Sequence, residues 1–169
     1  MYCKEVQRRY GRMPKVLVVY YSRSGNTEAM AKLVAEGVES EGVEVECKKA
    51  ADTTVDDLLA VDGIIVGSPT YYGTMAAEIK KLLDDSVRYH GKLDGKVGAA
   101  FSSSGGPGGG NETTVMDITR ALMIHGMIVQ GDPKGDHYGP IAVGRPDARS
   151  SEQCKRRGAR VARLVKRLA

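Results

Sequence analysis

The chain has 169 residues, 41% apolar and 27% charged, with a net charge of +4; this is room for one domain with a proper core and too little for two. No apolar run approaches the roughly 18 residues of a membrane helix. The cysteines Cys3, Cys47 and Cys154 are far apart and form no Cys-x-x-Cys, so neither a zinc site nor an iron–sulfur cluster is indicated, and free thiols suit a reducing compartment.

Residues 1–12 show no periodicity, carry a charge of +3 and contain no apolar stretch of the kind a signal peptide needs. They read as a loose extension ahead of a single domain over 13–169, and the cytoplasm is the expected compartment. Val16 to Tyr21 is an unbroken apolar run rich in valine, the pattern of a parallel strand covered on both faces. It ends in Ser22, Arg23, Ser24, Gly25, Asn26 and Thr27. Met30, Leu33, Val34 and Val38 then recur at helical spacing, with Asn26 or Thr27 as the cap. A turn of hydroxyls, an amide and a glycine at a helix start is suited to a phosphate. It lacks the lysine and spacing of a nucleoside-triphosphate loop. Alone, it reads equally as an ordinary helix cap.

Val43, Val45 and Cys47 alternate with charged residues, as in an edge strand. A short helix is expected over Thr54–Ala60 and a second buried strand over Val61–Gly67. The segment Ser68–Thr74, with Pro69, Thr70, Tyr71, Tyr72 and Gly73, reads as a rigid loop before a helix from Met75 to Val87. Val97–Phe101 is a further buried strand. It leads into a serine- and glycine-rich loop, Ser102–Asn111, and a helix over Glu112–Ile124. A short strand is expected at Met127–Val129. Residues 131–149 have no period, and a loop that long is more often functional than idle. Ser150 and Gln153 suggest a capping box for a last helix with Cys154, Val161, Val165 and Leu168 facing inward. Residues 151–169 carry +6 and the span 13–150 carries −5. The run Lys155-Arg156-Arg157 reads as the solvated face of that helix rather than a nucleic-acid surface.

Five strands alternating with five helices predict an α/β fold, a doubly wound five-stranded parallel sheet of order 2-1-3-4-5. In that order ligands bind at the carboxyl ends of strands one and three. The three unusual loops converge there. A phosphate turn, two tyrosines and a glycine-rich backbone that can approach a flat ring together describe a flavin mononucleotide (FMN) site.

The sequence resembles the flavodoxin-like superfamily, and within it the WrbA-type NAD(P)H:quinone oxidoreductases. The resemblance spans about residues 14–168. It rests on Tyr20 through Thr27, Ser68 through Met75, Phe101 through Thr113, His125-Gly126-Met127 and Tyr138-Gly139. It implies Ser22, Arg23, Ser24, Gly25, Asn26 and Thr27 at the FMN phosphate. Pro69, Thr70, Tyr71, Tyr72 and Gly73 would meet the ribityl chain and one ring edge. Ser103, Ser104, Gly105, Gly106, Gly108 and Gly109 would line the polar edge. NAD(P)H is the implied co-substrate and a quinone the acceptor; no catalytic acid or base is assigned. His125 and Tyr138 are candidates for orienting a substrate or supplying a proton, although His125 reads more readily as a helix-end histidine bonded to backbone carbonyls. The alternative is an electron-carrier flavodoxin that serves redox partner proteins. A homodimer or homotetramer is implied, but the insertion that helps build the family's tetramer is reduced to Lys48–Val61. A tryptophan over the flavin is missing, with Tyr89 and His90 nearest in sequence. The family's paired histidines are reduced to His125, and Pro107 is extra.

Overall fold

The computed structural model describes residues 12–168. The first strand, β1 (Lys15–Tyr20), is buried and shares its backbone with two parallel neighbours. Strand periodicity divides its side chains between two cores. Val16, Val18 and Tyr20 face α1 (Asn26–Glu39) and α5 (Ala148–Leu168). Leu17 and Val19 face α2 (Val55–Leu59), α3 (Ala77–Asp85) and α4 (Asn111–Ile124). The helices therefore cover both faces, as a doubly wound sheet requires. The remaining strands are β2 (Glu44–Lys49), β3 (Gly63–Tyr71), β4 (Thr74–Met75), β5 (Val97–Ser104), β6 (Ile128–Val129) and β7 (Ile141–Val143). The sheet runs β2-β1-β3-β5-β6, which is the expected order once the small hairpin strand β4 is set aside.

Several boundaries differ from expectation, each for a local reason. β3 does not stop at Gly67. It continues to Tyr71 and folds back as β4, pairing Thr70 with Met75 and Tyr71 with Thr74. The two residues between, Tyr72 (φ 49°) and Gly73 (φ 80°), are both left-handed, as the tight type I′ hairpin turn demands. β5 likewise runs on through Ser102–Ser104, because the prolonged β3 pairs with Ser102 and Ser103 on one side and β7 with all three serines on the other. The last position of the sheet is thus split: the strand expected at Met127–Val129 is β6, over the start of β5, and the unexpected strand β7 covers its end. The supposedly structureless span 131–149 contains β7 and the first residues of α5.

The caps also move. α1 is preceded by Gly25 in left-handed geometry with no side-chain cap; neither Asn26 nor Thr27 serves. At α5 the reciprocal bonds join Asp147 and Ser150, with Ser150 N–H to Asp147 Oδ1 at 2.7 Å and Asp147 N–H to Ser150 Oγ at 2.8 Å. The helix therefore starts three residues earlier than the Ser150–Gln153 box would place it. Leu168 is exposed, not inward, whereas Cys154, Val161 and Val165 are buried. Of the expected N-terminal extension, residues 1–11 lie outside the described residues. Arg12 donates to Ala60 O and to Asp62 Oδ1, each at 2.7 Å.

Lys155-Arg156-Arg157 is only partly a solvated face. Arg157 is 3% exposed and donates to Gln130 O at 2.6 Å and Asp136 O at 3.3 Å. Arg156 grips Asp132 with two bonds of 2.6 and 2.9 Å, and Arg160 donates to Gly131 O. The helix uses its basic residues to fasten the segment between β6 and β7. The Arg156 guanidinium holds the buried Asp132 carboxyl far below its ordinary 3.8. A carboxylate depressed in the folded state lends stability above its unfolded pKa and loses it as the pH falls further. Asp132→Asn should therefore cost about 2 kcal/mol at pH 7, with the gap to wild type narrowing from pH 4 downward. Chemical denaturation at pH 7 and pH 3 checks this; a gap that stays constant would contradict it.

Candidate functional site

The carboxyl ends of β1, β3 and β5 enclose a cleft of about 390 Å³, lined by Arg23, Ser24, Asn26, Pro69, Thr70, Tyr71, Ser103, Ser104 and Gly105. All three expected segments contribute to its wall. At one end is the start of α1, whose first N–H groups have no partner within the helix and point outward. Gly25 makes this turn possible with φ 87°, and Ser22 Oγ accepts from its N–H at 3.1 Å. Thr27 is buried beneath the turn, its hydroxyl 2.8 Å from Ser103 Oγ. It ties the first segment to the third and does not line the cleft.

The middle wall is the β3–β4 hairpin. Tyr71 is half-buried and meets Tyr21 edge to face, with ring centroids 6.3 Å apart. A Glu78 hydrogen bond raises the Tyr21 phenol above its ordinary pKa. Tyr72 projects fully exposed from the hairpin tip. Its left-handed backbone, unusual for a bulky residue, is what the type I′ turn imposes on its first central position. The tip is braced on α4: Thr113 Oγ1 donates to Gly73 O at 2.8 Å, and Thr74 Oγ1 bonds to Asp117 Oδ2 at 2.5 Å. Gly73 belongs to that brace.

The third wall divides in two. Ser103 and Ser104 are buried strand residues, whereas Gly105, Gly108 and Gly109 are exposed. Ser104 Oγ closes the bend by donating to Gly106 O at 2.7 Å. A Cβ added at Gly105 or Gly106 would meet no atom within 4 Å. Bare backbone faces open space there, the surface that a flat heterocycle with polar edges requires. An anion-binding helix start, hydroxyls along one side and an open glycine bend fit a mononucleotide with a flat ring, and the donor set matches FMN.

Other candidates lie elsewhere. His125 ends α4, fourteen residues beyond Asn111, so it sits about 20 Å from the cleft at the rise of a helix. Its Nε2 is 2.8 Å from Ser86 Oγ and its Nδ1 is buried without a partner. Burial, and then His90, lower its pKa. It is a core residue and does not line the cleft. Tyr89 bonds to Asp56 and stacks under Arg88, with no part in the cleft. Burial pushes the Cys154 thiol up to about 12, which removes it as a nucleophile. Tyr138 is exposed along a second open cleft of about 210 Å³ beside Glu112 and His137. Sequence reasoning missed Ser102, Asn111 and Thr114, which lie behind Thr70. A threonine at an inward-facing helical position, four residues before Ile118, was the available signal.

A five-stranded core of this order with a mononucleotide cleft at its switch point defines a flavodoxin-like flavoprotein. The model of the NADPH-dependent FMN reductase family matches residues 47–134. The chain belongs to this family of flavodoxin-like oxidoreductases. A flavodoxin of Aquifex aeolicus is 46% identical over 162 residues, covering 90% of this chain and 88% of that protein. An NAD(P)H dehydrogenase (quinone) of Sinorhizobium fredii is 34% identical, covering 93% of this chain and all of the relative. The crystal structure of a WrbA-like flavodoxin from Agrobacterium tumefaciens superposes with a TM-score of 0.79 at 28% identity, over 92% of this chain and 99% of that one. No helix among the described residues is long and apolar enough to cross a membrane.

Proposed function

We propose that the chain holds FMN in the cleft and passes two electrons from NAD(P)H to a small quinone-type acceptor. The observation that carries this reading is the bareness of the third wall. Gly105 to Gly110 bears no side chain larger than Pro107, so a bound ring would be covered on the Tyr72 side at most. A second planar molecule has room to stack on the other side. Bound FMN supplies the redox chemistry. Arg23, Ser24, Asn26 and the first N–H groups of α1 hold its phosphate. Pro69, Thr70 and Tyr71 flank the ribityl chain and one ring edge, and the backbone of Ser104 to Gly106 faces the polar edge. No side chain of the cleft need act as an acid or base. The free thiols suit a reducing cytoplasm, and the short link between β2 and β3 favours a dimer over a tetramer.

The second reading is an electron carrier, favoured by the 46% identity to a protein named flavodoxin. Mixing the FMN-loaded protein with NADH or NADPH and a benzoquinone separates the two. Turnover on the order of 10 per second, a usual enzyme rate, is the expected outcome. Nucleotide oxidation no faster than free FMN supports would leave the carrier.

A further inference from the structure

Thr70 lines the cleft, yet its hydroxyl is held from behind by two hydroxyls that no ligand can reach. Ser102 Oγ and Thr114 Oγ1 each lie 3.0 Å from Thr70 Oγ1, and both side chains are fully buried. Neither hydroxyl has another hydrogen-bond partner among the described residues. Each hydroxyl carries one proton and two lone pairs. A buried hydroxyl that leaves its proton unbonded costs about 1–3 kcal/mol. The arrangement that uses both buried protons has Ser102 and Thr114 donating to Thr70. That fills both lone pairs of Thr70 and leaves its own proton to be placed. The protein offers it only long contacts, Gly110 O at 3.4 Å and Asn111 Oδ1 at 3.5 Å.

We propose that Ser102 and Thr114 are positioning residues that make Thr70 an obligate donor into the cleft, toward an acceptor atom of bound FMN. The inference rests on the FMN reading of the cleft. It assigns two buried hydroxyls a role in cofactor binding without contact with the cofactor. Thr114 does this from α4 and Ser102 from the end of β5, so the direction of one proton is set jointly by two elements.

The test is FMN titration into the cofactor-free protein, followed by flavin fluorescence, for wild type, Thr70→Val, Thr114→Val, Thr114→Ser and the Thr70→Val/Thr114→Val double variant. Thermal midpoints of the cofactor-free forms are recorded alongside. Thr114→Val should weaken FMN binding about five- to tenfold, the worth of one hydrogen bond. Thr114→Ser, which restores the hydroxyl, should return affinity to within about twofold of wild type. The double variant should bind no more weakly than Thr70→Val alone, because Thr114 acts only through Thr70. Wild-type affinity in Thr114→Val overturns the inference. So does a double variant in which the two losses multiply, or a serine variant as weak as the valine. Absence of FMN binding by wild type would overturn the reading of the cleft itself, and is seen before any variant is compared.

Discussion

Gly158→Ala should destabilise the protein by about 3 kcal/mol or more, although a glycine-to-alanine change inside a helix ordinarily stabilises by up to about 1 kcal/mol. The reason lies at the crossing of α1 and α5. A Cβ on Gly158 would stand 2.0 Å from Val34 O and 2.9 Å from Val38 N, and one on Gly37 would stand 2.0 Å from Lys155 O. These are backbone atoms, so no side chain can rotate away. The helices would have to separate along their whole contact and loosen Met30, Val34, Val161 and Val165, all buried in one core. Against a total of about 5–15 kcal/mol this is a large loss. It corresponds to a fall of about 10 °C in thermal midpoint for a chain of this size. Circular dichroism melts check it; a midpoint within a degree or two of wild type would show that the helices can part freely.

Gly105→Leu should do the reverse, leaving the fold intact and weakening cofactor binding. Gly105 lines the cleft, and a Cβ there meets nothing within 4 Å. It is not among the glycines with positive φ. An added Cβ therefore strains no backbone and touches no protein atom, and the leucine side chain beyond it occupies space the ring needs. FMN affinity should fall about 100-fold, or about 2.7 kcal/mol, with the cofactor-free thermal midpoint unchanged within about 2 °C. Undiminished affinity would place the ring elsewhere. Equal losses in binding and stability would mean that the bend is a structural element. The two glycines differ by what surrounds them, not by their own conformational freedom.

The fold was largely legible because its signals are periodic. The apolar run Val16–Tyr21, the helical spacing from Met30 to Val38 and the regular alternation of elements depend on burial that both neighbours of a strand impose. The elements that escaped notice depend on partners distant in sequence. β7 exists because Ser102–Ser104 lie beside it, and those serines are strand residues because β3 and β7 flank them. The only local mark of Ile141–Val143 is a three-residue apolar run between Pro140 and Gly144, too short to identify a strand alone. Tyr72-Gly73 lacks the usual Asn-Gly of a type I′ turn, so the β3–β4 hairpin was hidden by its exposed tyrosine. Arg157 looked solvated because the carbonyls that receive it, Gln130 O and Asp136 O, come from another segment. In the cleft, the three segments were visible as composition, glycine and hydroxyl next to buried strands. The division of labour within them was not. Thr27 and Gly73 brace the walls while Arg23, Ser24 and Gly105 line them, and only the packing decides which does which.

The split strand has a consequence for the behaviour of the molecule in crowded solution. A sheet whose last strand ran unbroken would offer a straight row of free N–H and C=O groups to any neighbouring chain. Here β6 is two residues long and β7 three. Between them Gly139 presses so closely on Ala100 O that a Cβ would come within 2.2 Å, and Pro140 O receives the Ser102 N–H at 3.0 Å. A proline stands immediately before β7 and has no N–H to extend the ladder. The opposite border, β2, alternates its apolar positions with Glu44, Glu46 and Lys48. Neither border gives a foreign strand a long, uncharged template, so the apolar sheet that supports the cleft is guarded against edge-to-edge aggregation at both margins.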